Sequence, residues 1–357
     1  MGMIHSTYTA SITFGVLFLV GAILRVNSFS KRRFHRPEVI PPGTERVLVL
    51  GASTGIGRTL AHRYAERGAK VCVVARKSAE LKVVRSECEV RAPAPDSVLN
   101  ICADITRAED LITIREAISD SAFSVERYLT RLYAYTEWHG LDTLIVAAGV
   151  SALRPVLEIA GVEGSSMAQP DIDGIRRVED VALAAIKGNY LGPLLSVVTM
   201  VGLRSYQALT LFDNFLSQIP FMRSTSASPS VLLISTLGAT IPAPTRAIYG
   251  STKAASYILY QALSIENPSV NFSYVLPSTV EGNFRASAVD GGPVREANPT
   301  QVGLKREVVA ERCIRAIDTR EKIVFIPGFY RFAPFLLWIW PSYVERKAAQ
   351  KYRFTPT

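Results

Sequence analysis

Hydrophobic positions change their period repeatedly along this chain, and the changes mark out its elements. Short apolar runs of strand length lie at Val47–Leu50, Val71–Ala75, Val98–Cys102, Leu144–Ala148, Val231–Ser235, Phe272–Leu276 and Lys322–Ile326. Between them apolar residues recur at helical spacing. Leu60, Tyr64 and Ala65 share a face before Gly68 supplies a helix stop. Further helices are predicted over Ser78–Val90, over residues 109–138, over Val178–Leu216 with bends near Gly192–Pro193 and Gly202, and from the segment carrying Tyr249 to Ile265. Strands that alternate with helices predict a parallel sheet covered on both faces. Gly161–Gly174 reads as a loop insertion, Ser224–Ser230 as a polar turn, and Glu281–Asn298 as a variable lid. No internal repeat interrupts the alternation.

Both ends fall outside it. Met1 to Leu24 contains no Lys, Arg, Asp or Glu, and the stretch from Tyr8 to Val26 is largely apolar, long enough to span a hydrocarbon core as a helix. Arg25, Lys31, Arg32, Arg33 and Arg36 follow the apolar run rather than precede it, which predicts an uncleaved anchor with the following domain on the cytosolic side. Residues 1–36 are therefore read as anchor and basic flank. Pro37, Pro41, Pro42 and Gly43 make 37–43 a stiff extended linker; 44–328 is one α/β domain, and 329–357 is a separate terminal segment. That last segment places Trp338 and Trp340 beside Phe332, Phe335, Leu336, Leu337 and Tyr343, with basic residues after them. Two readings stand: an interfacial helix or entry flap at a membrane, or a docked helix whose aromatics fill the core.

Composition narrows the partners. The 357 residues are 48% hydrophobic, enough for a large core, and the net charge of +9 comes without an aromatic-interleaved basic patch, so nucleic acid is not an expected partner. A nucleotide or an anionic membrane surface suits that charge better. Cys72, Cys88, Cys102 and Cys313 have neither metal nor disulfide spacing, and Cys72 and Cys102 are expected to be buried on strands. No metal is implied.

Two patterns carry chemistry. After the first apolar run, Gly51, Gly55 and Gly57 open a helix with Ser53, Thr54 and Ile56 between them. Glycine there lets backbone amides approach a phosphate, and the helix start aims unpaired N–H groups and its positive end at the same place. Inside a strand–turn–helix–strand unit, this is a dinucleotide signal. After the fifth run, Tyr249 and Lys253 are four apart, on one face of a helix. An ammonium beside a phenol favours the phenolate, so Tyr249 could exchange a proton nearer neutrality than a free tyrosine.

Together these pieces resemble the classical short-chain dehydrogenase/reductase family over residues 44–328. The matching motifs are GASTGIG at 51–57, CADIT with Asp104, AAG at 147–149, NYLG with Asn189, IST with Ser235, YGSTK at 249–253 and LPSTV with Pro277. The hydrophobic N-terminus makes the chain most similar to membrane-anchored reductases of the 11-beta-hydroxysteroid dehydrogenase type. It departs from the family at Leu50 (usually Thr), at Val146 and Ala147 (usually two Asn) and at Ser278 (usually Gly).

The resemblance implies a single Rossmann-type doubly wound sheet of about seven strands, beside the transmembrane helix. It implies a catalytic set of Asn189, Ser235, Tyr249 and Lys253. Asn189 relays protons through water in that set, and Lys253 also holds the nicotinamide ribose. Ser235 is preferred to the neighbouring Thr236. Cofactor contacts are expected from Gly51, Ser53, Thr54, Gly55, Ile56, Gly57, Arg76, Asp104, Ala148, Gly149, Tyr249, Lys253, Pro277, Thr279 and Val280. Where an NAD enzyme has a carboxylate after the second strand, this chain has Arg76 and Lys77, which favours NADP(H), with NAD(H) as the alternative. The expected enzyme interconverts a carbonyl and a secondary alcohol on a lipophilic substrate (steroid, sphingoid ketone, retinoid or fatty carbonyl). It would sit as a single-pass protein of the endoplasmic reticulum, with a homodimer as one open assembly. The competing reading is a catalytically silent NADP-binding regulatory or scaffold protein on the same fold; an isomerase or dehydratase would usually lose part of the catalytic set.

Overall fold

The computed structural model describes residues 35–94, 97–119, 138–162, 169–201, 221–295 and 299–355. The apolar run read as a membrane anchor lies outside them.

Seven strands form one parallel sheet in the order β3-β2-β1-β4-β5-β6-β7. They are β1 (Arg46–Leu50), β2 (Lys70–Ala75), β3 (Val98–Cys102), β4 (Thr143–Val146), β5 (Ser230–Ile234), β6 (Asn271–Pro277) and β7 (Ile323–Ile326). Each lies within a residue or two of the expected run. Side chains alternate across the sheet. Val47 and Val49 meet α1 (Gly55–Glu66), α2 (Ser78–Arg91) and α7 (Arg306–Asp318) on one face. Leu48 and Leu50 meet α3 (Ala108–Ser119), α5 (Gly192–Val201) and α6 (Ala247–Glu266) on the other. The sheet is doubly wound, as expected. Strand order reverses between β1 and β4, so a crevice opens above the C-terminal ends of those two strands.

Several expectations need correction. Residues 37–43 are not an extended linker: Arg36–Glu38 and Pro42–Thr44 form 3-10 turns packed on the domain. Arg36, read as membrane flank, is buried and ion-paired with Glu45, and its remaining donors go to Ser228 O, Asp142 O and Thr143 Oγ1. The domain therefore begins at Arg36. Cys102 is exposed, because β3 is an edge strand and the residue ends it; Cys72, Cys88 and Cys313 are buried as expected. Helix α4 (Ile172–Ile186) starts inside the expected loop because Asp171 caps it, accepting from Gly174 N at 2.6 Å. The polar turn expected at Ser224–Ser230 is shorter, since a helical turn, Phe221–Thr225, runs into it and Ser230 belongs to β5. Most of the helix expected over 109–138 lies outside the described residues beyond Ser119, as does everything from 202 to 220.

Helices α4 and α5 are joined by a π-helical turn, Lys187–Leu191, into one rod. Among the described residues this rod, Ile172–Val201, is the one stretch long and apolar enough to cross a membrane by length and composition. It also packs on α6 and carries the buried Asn189, as a core helix does.

At the C-terminus, α8 (Ala333–Ile339) and α9 (Pro341–Tyr352) form a helical hairpin. Its aromatics do not fill the core. Trp338 is 81% exposed, and Phe332, Phe335, Trp340 and Ile339 are exposed beside it. Of the two readings of this segment, burial of its aromatics is not what the fold adopts.

Candidate active site

Above β1 and β4 lies a cavity of about 1430 Å³. Its floor is the glycine turn. Gly51 has φ +86°, and a Cβ there would sit 2.5 Å from Ala148 N; a Cβ on Gly57 would sit 2.2 Å from the Gly51 carbonyl oxygen. Both positions are closed to any side chain. Gly55, at φ +59°, meets nothing within 4 Å, so the space above it is open. Thr54 begins α1 without a side-chain cap, and the first turn carries no acidic residue. The free N–H groups of that turn and the helix dipole are thus available to an anion. This is a cradle that a dinucleotide pyrophosphate fits.

Two more cradle positions lie close by. A Cβ on Gly149 would meet Asn189 Oδ1 at 2.9 Å and Lys253 Nζ at 3.2 Å, so the backbone after β4 runs directly against Lys253. At the end of β2, Arg76 lines the cavity 68% exposed, and its guanidinium stands 3.9 Å from Asp104. Asp104 is mainly occupied in its own turn, accepting from Thr106 N and Oγ1, each at 2.9 Å.

Helix α6 carries Tyr249 and Lys253, the pair expected to move the proton. Tyr249 and Lys253 are both buried on the face turned to the cavity. Lys253 Nζ donates to Ile234 O at 3.0 Å, and burial pulls its pKa down from 10.5 to about 8. Tyr249 lies between two partners: the Arg246 guanidinium, 4.3 Å from the ring centroid, and Phe284, edge-on at 6.0 Å. Phe284 belongs to a short 3-10 turn, Phe284–Ser287, within the segment expected to form a lid.

Ser235 and Thr236 divide the roles left open by their spacing. Ser235 Oγ is buried at the cavity wall and has no hydrogen-bond partner among the described residues. Thr236 Oγ1 accepts from Gly238 N at 3.2 Å, capping the 3-10 turn Leu237–Ala239. The serine is the hydroxyl left over for a ligand.

Asn189 stands apart from the rest. It is fully buried in the π-helical turn, and its amide is consumed by the protein: Oδ1 accepts from Val150 N at 2.8 Å, while Nδ2 donates to Val150 O and to Thr252 Oγ1, each at 3.0 Å. It clamps the loop after β4 to α6. Every other residue expected in the catalytic or cofactor set lines the cavity; Asn189 does not.

The cavity holds residues that motif reading passes over: Arg246, Phe284, and from the hairpin Phe332, Leu336, Tyr343, Val344 and Lys347. On α9 the last three recur at helical spacing, a signal readable only once that helix is known to border the site.

The family model described as short chain dehydrogenase matches residues 45–213. A curated relative from Sesamum indicum, 11-beta-hydroxysteroid dehydrogenase A, is 24% identical over 80% of this chain and 69% of its own length. Another from Drosophila melanogaster, dehydrogenase/reductase SDR family protein 7-like, is 25% identical over 78% of this chain and 72% of its own. Among solved structures, a short chain dehydrogenase from Burkholderia cenocepacia in complex with NADP superposes with a TM-score of 0.56 at 17% identity, covering 88% of this chain and 98% of the other. At that identity the structural likeness speaks to the fold alone.

Proposed function

We propose that this chain is a short-chain dehydrogenase, the family whose model matches residues 45–213, and that it interconverts a carbonyl and a secondary alcohol on a lipophilic substrate with NADP(H), using Tyr249 as acid and base. One observation carries the reading. The unpartnered Ser235 Oγ, the Tyr249 ring and the Lys253 ammonium line the same cavity as a glycine turn suited to a pyrophosphate.

Nicotinamide, when bound, gives or takes the hydride, which no side chain can. Everything else falls to the protein. Ser235 Oγ–H donates to the substrate oxygen and stabilises negative charge as it forms. Tyr249 O–H gives that oxygen its proton in reduction and recovers it in oxidation. Lys253, four residues on and on the same face, supplies positive charge beside the phenol and the ribose-binding edge of the cavity. Asn189 holds the Val150 backbone and α6 in register.

The 2′-phosphate would meet Arg76, whose planar guanidinium suits it by charge and by geometry. Lipophilicity is supported by the C-terminal segment: Phe332, Leu336 and Val344 line the cavity, while Trp338 and Trp340 are exposed. Such a surface suits a bilayer interface, from which substrate could enter. The apolar run ahead of the domain would fix it to the endoplasmic reticulum membrane.

Purified protein would be tested for NADPH oxidation against steroid, sphingoid, retinoid and fatty carbonyls, beside Tyr249→Phe. Wild type should turn over at least one of them, with the variant about 10²- to 10⁴-fold slower. Equal, measurable rates would defeat the Tyr249 assignment, and turnover in neither protein would favour the silent NADP-binding reading. Arg76→Asp should shift preference toward NADH; an unchanged preference would remove the phosphate clamp.

A further inference from the structure

We propose that Arg246 is a positioning residue for Tyr249: its guanidinium, stacked on the ring, holds the phenol in its reactive orientation and supplies a permanent positive charge to the aromatic face. The inference rests on the proposed role of Tyr249 and concerns a residue that the family's motifs do not include.

Four features of the geometry converge on it. The Arg246 Cζ lies 4.3 Å from the Tyr249 centroid, well inside the range in which a cation is attracted to an aromatic face. Arg246 is only 6% exposed, so water screens that attraction little. Its Nη1 donates at 3.1 Å to the Oγ of the fully buried Ser151, whose own carbonyl accepts from Val289 N at 2.8 Å. The guanidinium is therefore tethered to the lid-facing loop as well as to α6. Finally, among the described residues no carboxylate forms an ion pair with Arg246. Its charge is not spent on a neighbour.

The surroundings isolate this charge further. Cationic groups around the ring are Lys253 on α6, Arg246 at the start of α6, and Arg285 beside Phe284 on the lid turn. The carboxylates of the cavity, Glu80, Asp104 and Glu281, stand against cations of their own, Lys77, Arg76 and Lys305. An arginine also keeps its charge where a buried lysine gives its proton up. Phe284, edge-on to the ring at 6.0 Å, limits its swing. Arg246 thus does for the orientation and charge of Tyr249 what Lys253 does from one turn along the helix.

Arg246→Met removes the charge, Arg246→Gln removes it but keeps an amide donor for Ser151, and Arg246→Lys keeps a charge. Each variant would be checked by thermal melting and NADP(H) titration. The first readout needs no substrate: the Tyr249 contribution to the ultraviolet tyrosinate band, taken as the difference from the same protein carrying Tyr249→Phe. At a fixed alkaline pH, Arg246→Met should carry about tenfold less Tyr249 tyrosinate than wild type, with Arg246→Lys near wild type. The second readout is kinetic: kcat should fall about tenfold with KM held within about twofold. If Arg246→Met does not fold, Arg246→Gln carries the same expectation. Unchanged ionisation in the neutral variants overturns the proposal. So does a loss confined to KM, which would make Arg246 a substrate anchor instead. A wild-type protein with no carbonyl turnover would defeat the hydride-transfer reading, and the ionisation readout would still judge Arg246.

Discussion

Lys253 Nζ donates to Ile234 O at 3.0 Å, which pins the ammonium between the end of β5 and the backbone of Gly149. The contact satisfies one of three N–H donors in a place with little water, and burial accordingly lowers the lysine from 10.5 to about 8. The linkage sign follows. Below about pH 8 the folded protein bears the full penalty of a buried charge. Between 8 and 10.5 the unfolded chain holds a proton that the folded protein has lost, so stability rises with pH across that window. The swing is on the order of 3 kcal/mol. Comparing urea unfolding of cofactor-free Tyr249→Phe with Tyr249→Phe/Lys253→Met from pH 7 to 10.5 isolates it, since the neighbouring phenol is absent from both and the remaining groups cancel in the difference. The protein that keeps Lys253 should gain on the one without it as pH rises; parallel curves would contradict the assignment.

Ser235 and Thr236 are adjacent hydroxyls with different duties, and substitution separates them. Ser235→Ala should leave the fold unchanged, because its Oγ has no partner among the described residues, and lower kcat by about 10²- to 10³-fold, as loss of one oxyanion donor does. Thr236→Ala removes the cap on Leu237–Ala239 and should cost about 1 kcal/mol of stability with a far smaller kinetic effect. Steady-state kinetics beside thermal melts would read both. A reversal of the two profiles would exchange the roles.

The strands and the glycine turn were legible because they depend on local signals: apolar runs of strand length, and glycines where a Cβ has no room. What escaped depends on distant partners or on side-chain direction. Arg36 read as flank because its acceptors, from Glu45 to Ser228, are up to 192 residues away. Prolines 37, 41 and 42 suggested extension, but their φ near −65° serves a 3-10 turn equally well. Cys102 looked buried because its neighbours in sequence are apolar; only the strand order puts it on an edge. Arg246 stood three residues before Tyr249 in plain view, yet nothing in the spacing says that its guanidinium lies over the ring. Asn189 was expected in the catalytic set; that its amide is instead saturated by Val150 and Thr252 needed coordinates.

Gly57 should prove the least replaceable residue of the glycine turn. An alanine Cβ would come within 2.2 Å of the Gly51 carbonyl oxygen, and backbone cannot rotate away as a side chain could. Gly57→Ala should therefore open the turn, destabilise the domain by about 1–3 kcal/mol and weaken NADP(H) binding at least about tenfold. Denaturant unfolding and fluorescence titration of the cofactor measure the two effects. Retention of wild-type affinity would mean that the turn is not the phosphate cradle.

The Arg36 network offers a test of where the domain begins. Arg36 is 1% exposed, ion-paired to an equally buried Glu45, and bonded to Ser228 O at 3.0 Å, Asp142 O at 3.1 Å and Thr143 Oγ1 at 2.9 Å; Thr143 Oγ1 in turn donates to Glu45 at 2.6 Å. These bonds tie the entry turn to the starts of β1, β4 and β5. Removing the cation alone strands the Glu45 carboxylate in a dry site, so Arg36→Met should cost about 3–5 kcal/mol. Pairing it with Glu45→Gln removes the stranded charge, and the double variant should recover a large part of that loss. Unfolding of the two singles and the double gives the coupling directly. A near-zero coupling, with Arg36→Met costing no more than a surface substitution, would return Arg36 to the flank and move the start of the domain back toward residue 44.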